Sequence, residues 1–133
     1  MNVMRLSRLN AFQTGAAYVL LALIFRCCSF FPSLIDHDES TYLVIANELL
    51  KGRMYWIDVF DTKPIGIFLL YAGFIKIAGH SIILIRLLTA LWVGLTAWLI
   101  WDVQRKWMPD GPGPWLSGVF YLAMISLFTF YGV

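Results

Sequence analysis

Residues 81–101 read SIILIRLLTALWVGLTAWLIW, and how this stretch is read decides the fold. Its one charged residue is Arg86, near the start. At about 1.5 Å of rise per residue, an α-helix of roughly twenty residues crosses a hydrocarbon core of about 30 Å. The stretch is long enough and apolar on every side, so it predicts a membrane-spanning helix. Arg105 and Lys106 follow it, and then PDGPGP at 109–114, a turn that cannot continue a helix. Residues 114–133 are apolar to the last position, with no flanking charge, cap or polar tail. They predict a third span and suggest a piece of a longer chain.

Composition agrees with that reading. Of 133 residues, 60% are hydrophobic and only 14% charged, against about a quarter charged in soluble domains. A net charge of +2 with no basic run excludes a nucleic-acid partner. Cys27 and Cys28 are adjacent, too few and too close for a disulfide framework or a zinc site.

Before the deciding stretch come Arg5, Arg8 and an apolar run at 11–35, broken by Arg26 and closed by Pro32. No small-residue cleavage site follows Phe25, so the run predicts a retained span rather than a removed signal. A shorter apolar stretch, 65–79, contains Lys76 and falls below the length a crossing needs. If it stays outside the bilayer core, Arg5 and Arg8 share a cytoplasmic side with Arg105 and Lys106, as the charge bias of membrane proteins prefers. The alternative is a tight hairpin of two spans. The expected architecture is all-α and polytopic: spans at 11–35, 81–101 and 114–133, with an outer loop at 36–80. That loop would hold juxtamembrane helices at about 40–51 and 65–79.

The loop also concentrates the acids. Asp36, Asp38, Glu39, Glu48, Asp58 and Asp61 all lie in it, out of 8 Asp and Glu in the chain. Asp36, His37, Asp38 and Glu39 are consecutive at the start of the 40–51 helix, where acids favour the helix dipole and can cap free N–H groups. Capping accounts for one or two carboxylates. So many acids at a membrane surface also suit a general base, or a divalent cation held by Asp36, Asp38 and Glu39. His37 alone reads as a surface histidine. A second cluster, Asp58-Val59-Phe60-Asp61-Thr62-Lys63-Pro64, sets Lys63 at headgroup level. There it can pair with a phosphate, snorkel, or bond Asp61. Arg86 reads as an interface anchor before a buried polar partner. Arg26, Lys76, Tyr55, Trp56, Trp92, Trp98 and Trp101 read as interface belts.

The pair Asp38-Glu39 with Tyr42 resembles the first-loop motif of the GT-C glycosyltransferases. More narrowly, it resembles glycosyltransferase family 39, with its protein O-mannosyltransferases and aminoarabinose transferases. Ala46, Leu49-Leu50, Gly52, Tyr55, Asp58, Phe60-Asp61, Lys63-Pro64, Gly79 and Arg86-Leu87 are similar in order and spacing. Thr41 and Thr62 depart from the aminoarabinose transferases, which have arginine and glutamate there. Members of that family are much longer, so the resemblance implies an N-terminal portion that is inactive alone. It further implies a multi-pass plasma (inner) membrane enzyme, its site facing away from the cytoplasm. Such an enzyme moves a sugar from a polyprenyl-phosphate donor to a glycan, lipid or protein acceptor. Asp38 would be the catalytic base and Lys63 the donor-phosphate contact, with Glu39, Tyr42, Asp61 and Arg86 lining the substrate. A divalent metal ion is the optional cofactor. The alternative is a small non-catalytic membrane protein that binds polyprenyl phosphate or partner helices.

Overall fold

A computed structural model describes residues 10–30, 37–109 and 111–128. Five α-helices follow one another: α1 (Ala11–Phe25), α2 (His37–Leu50), α3 (Ile65–Ala78), α4 (Ile82–Trp107) and α5 (Gly113–Phe128). A 3-10 turn, Cys27–Phe30, follows α1. The described residues contain no strand, and one isolated bridge joins Tyr55 to Val59. The all-α expectation therefore holds. Among the described residues, α4 alone is long and apolar enough to cross a membrane, with a mean hydropathy of 2.0 in its best window.

Local chemistry sets the helix bounds. Asn10 caps α1 reciprocally with Gln13: the Gln13 N–H donates to the Asn10 side chain at 2.9 Å, and the Asn10 N–H donates to Gln13 Oε1 at 3.1 Å. The helix ends at Phe25, short of the 11–35 expected, because the Arg26 N–H reaches both Ala22 O and Ile24 O and the chain tightens into the 3-10 turn. At 15 residues it is about 22 Å long. Helix α2 starts at His37 rather than 40, taking Asp38 and Glu39 into its first turn, where the dipole favours them. Gly52, at φ 86°, provides the left-handed residue beyond its end. Pro64 and Gly79 bracket α3 close to the expected 65–79. Helix α4 runs past 101 to Trp107: Asp102 pairs with Arg105 and Lys106 one turn on, and the Arg105 guanidinium lies 4.4 Å from the Trp101 ring centre.

The chain packs as two units. One contains α1, α5 and the part of α4 from Thr89 onward. Its core is Tyr18, Ala22, Val93, Ala97, Trp101 and Leu122. Glycines bring its helices close. A Cβ on Gly94 would lie 2.7 Å from Val19 Cα, and one on Gly118 would lie 2.6 Å from the Tyr18 ring. Phe12, Leu20, Ile24, Leu95, Leu99, Leu116 and Phe120 point outward, so these helices are apolar on both sides. The other unit contains α2, α3 and the part of α4 up to Leu88. Phe68, Tyr71, Ala72 and Ile75 recur at helical spacing on the buried side of α3. They meet Ile45 and Ala46 of α2 and Ile85 of α4.

Candidate active site

All the described candidate residues belong to the second unit, and the fold sorts them into two ion pairs, Asp38–Lys63 with Tyr42 bonded to it and Glu39–Arg86, with Asp61 beside the first. Asp38 and Tyr42 lie one turn apart on α2, with the Tyr42 hydroxyl 3.4 Å from Asp38 Oδ2. Lys63 comes to them from the loop before α3. Its ammonium forms an ion pair with Asp38 Oδ2 and donates to the Tyr42 hydroxyl at 2.8 Å. This arrangement is open: the Asp38 side chain is 52% exposed and that of Lys63 32%. Hydrogen bonds to Asp38 and then Tyr42 push the Lys63 pKa upward, so it remains an ammonium at neutral pH.

The second pair is covered. Arg86 Nε donates to Glu39 Oε1 at 2.8 Å, and Nη2 donates to Oε2 at 2.7 Å, a two-pronged bond. Arg86 is 5% exposed and the Glu39 side chain 16%. The interface-anchor reading of Arg86 is thereby corrected. In an apolar surrounding a guanidinium needs a carboxylate, and Glu39 is close enough to supply one. Both Glu39 oxygens are held by Arg86, so this pair supports the site from behind.

Asp61 lies in the loop that presents Lys63. Its Oδ1 accepts the Lys63 backbone N–H at 3.0 Å, so it shapes the turn while the Lys63 ammonium reaches Asp38. The Tyr55 hydroxyl lies 2.6 Å from the Lys63 carbonyl and 3.0 Å from that of Asp61, a shared donation that ties down the same turn. Tyr55 read as a belt residue; here it is buried against Phe68, with ring centres 5.2 Å apart. Nothing in its local sequence signals that role. Tyr71, whose ring centre is 5.3 Å from that of Tyr42, is a further residue the sequence reading passed over. Its spacing from Phe68 and Ile75 was the available signal. Asp58 accepts the Met54 N–H at 2.8 Å and closes the loop below the site.

Asp36 and the His37 side chain lie outside the described residues. No group of three or more metal-ligating side chains occurs among those described. The described part of the expected metal set does not fit a cation as arranged, because Arg86 holds both Glu39 oxygens and Lys63 sits on Asp38. The group's chemistry is therefore that of one ammonium, one phenol and one carboxylate at an open helix start. A carboxylate that carries an ammonium is a weak base until the ammonium is drawn away. A phosphate, the better partner for Lys63, can draw it away.

Comparison of the chain with protein-family models, with curated proteins and with solved structures returns no match.

Proposed function

We propose that this chain carries the donor-phosphate and base residues of a membrane glycosyltransferase that uses a polyprenyl-phosphate-linked sugar. The observation that supports this reading is the Lys63 ammonium shared between the Asp38 carboxylate and the Tyr42 hydroxyl, at the solvent-open start of α2. In this reading the chain is multi-pass. Helix α4 spans the plasma (inner) membrane, and the apolar segments 11–35 and 114–133, longer than the 15- and 16-residue helices α1 and α5 within them, supply the other spans. Arg105 and Lys106 face the cytoplasm, and α2 and α3 lie on the opposite surface. The outward apolar side chains of α1, α4 and α5 agree with lipid contact.

The reaction follows from the pairings. The donor phosphate takes the Lys63 ammonium, which releases Asp38. Asp38 accepts the proton of the acceptor hydroxyl or amine as that atom attacks the anomeric carbon. The bond from that carbon to the phosphate oxygen breaks, its electron pair stays on phosphate, and Lys63 stabilises the charge. Tyr42 orients both partners, and the Glu39–Arg86 pair keeps the first turn of α2 in place.

The test uses membranes containing the product of the complete reading frame, a polyprenyl-phosphate-linked radiolabelled sugar and measured transfer. Asp38→Asn should lower the rate by about 10²–10⁴-fold at unchanged protein level. Lys63→Met should raise the donor KM as well. Undiminished transfer by Asp38→Asn removes the base role. Wild-type membranes that bind polyprenyl phosphate without any transfer favour the non-catalytic reading.

A further inference from the structure

The loop joining α2 to α3 turns its apolar side chains outward. Met54, Trp56, Ile57 and Phe60 are 61%, 62%, 74% and 67% exposed, whereas Tyr55 of the same loop is buried. An unstructured apolar loop would collapse onto the protein, but this one is held rigid. The Met54 N–H donates to the Asp58 carboxylate, the Asp58 N–H donates to Met54 O at 2.9 Å, and the Trp56 N–H donates to Val59 O at 2.8 Å. Trp56 has a φ of 74°, a left-handed conformation that a bulky residue adopts only when its surroundings enforce it. The result is a preformed tip with the Trp56 and Phe60 rings in contact, 5.1 Å between centres.

We propose that residues 54–60 are a membrane-inserting tip that seats in the headgroup and upper acyl region of a lipid leaflet. Two observations select lipid as the occupant. First, the loop's base is tied to the first turns of α4, the helix long enough to cross a membrane. Tyr55 holds the Lys63 backbone, Lys63 pairs with Asp38, and the adjoining Glu39 grips Arg86. The tip therefore belongs to the part of the molecule where α4 begins, the level at which tryptophan is favoured. Second, Lys51 and Arg53 flank the tip with side chains 58% and 57% exposed, and they share the single, largely covered carboxylate of Glu48. With the Asp58 carboxylate turned to the Met54 N–H, the tip and its flank together carry no net charge. These two exposed cations beside an apolar point form the arrangement in which long basic side chains reach the headgroups while apolar rings lie deeper. The inference rests on α4 spanning the membrane and is independent of sugar transfer.

The test reconstitutes the complete protein, with Cys27→Ser and Cys28→Ser, in vesicles of phosphatidylcholine and phosphatidylglycerol. Single nitroxide labels are placed at Ile57→Cys, Phe60→Cys, Lys51→Cys and Leu95→Cys. Collision with oxygen, which concentrates in lipid, is compared with collision with a water-soluble nickel chelate. Oxygen should dominate at 57, 60 and 95, with the sign reversed at 51. Nickel dominance at 57 and 60, with oxygen still dominant at 95, overturns the tip and leaves the span intact. Shielding of 57 and 60 from both reagents overturns it too, by showing protein cover. Nickel dominance at 95 overturns the spanning reading on which the tip depends.

Discussion

The two units hold themselves together by opposite means. In the unit of α1, α5 and the later part of α4, contact depends on the absence of side chains: Gly94 admits the Val19 backbone and Gly118 admits the Tyr18 ring. Shape outranks polarity there, and the buried side-chain atoms without a partner among the described residues, Thr14 Oγ1, Trp98 Nε1 and Ser126 Oγ, all belong to it. In the unit of α2, α3 and the start of α4, Asp38, Glu39 and Glu48 meet cations, Asp58 and Asp61 accept backbone N–H groups, and the Tyr42 and Tyr55 hydroxyls are hydrogen-bonded. Gly73, within α3, has nothing within 4 Å of an added Cβ. Close apolar crossing of helices through small residues is the usual solution in lipid. Paired charge is the solution where ionised groups are taken out of water.

That contrast breaks most severely at Arg86. Arg86→Met leaves the largely covered Glu39 carboxylate without its arginine and should destabilise by about 3 kcal/mol. Glu39→Leu combined with Arg86→Met should recover most of the loss, which thermal unfolding in detergent measures. Next come the crossings. Gly118→Ala and Gly94→Ala should each cost about 1–3 kcal/mol, since one meets backbone and the other a ring fixed by its bond to the Trp115 carbonyl. Tyr55→Phe should cost about 1 kcal/mol and loosen the Lys63 turn, readable as faster amide exchange at Lys63. Gly73→Ala sharpens the contrast with the opposite sign, stabilising by about 0.5–1 kcal/mol. A gain at Gly118 or a loss at Gly73 would dissolve the distinction between the units.

The smallest expected effect is one of pH. The Lys63 pKa is raised on folding, so its contribution to stability is complete below the unfolded value of about 10.4. It disappears only as pH rises through the higher folded value. The stability difference between the wild type and Lys63→Met should thus stay level from neutral pH to about 10 and shrink above that. A difference that shrinks already between neutral pH and about 9 would mean that the Asp38 pair does not hold the proton.

Much of the helix layout was legible because punctuation residues set it. Pro64 and Gly79 bracket α3, and Gly52 marks the end of α2. The errors lie where a charge could be read two ways. Asp38, read as a possible cap, sits inside the first turn, and the expected span at 81–101 stops short of the pairing of Asp102 with Arg105 and Lys106 that accompanies α4 to Trp107. At the site, residue types were readable but their partners were not. Asp61 and Lys63 are neighbours in sequence, yet their bond runs through the backbone N–H, and the ammonium goes instead to Asp38. Glu39 and Arg86 are 47 positions apart, and no local pattern encodes that meeting.

The same separation orders events during synthesis. Glu39 leaves the ribosome before Arg86, so in the proposed topology the acid already waits on the far surface when α4 is delivered to the bilayer. An arginine carried in unaccompanied costs about 2.5–3.5 kcal/mol at mid-membrane, and less near a helix end. Docking onto an acid that is already there offsets that cost and draws the start of α4 to one depth. In that topology the pair would act as a stop, setting how far the helix is threaded before the rest of the chain follows.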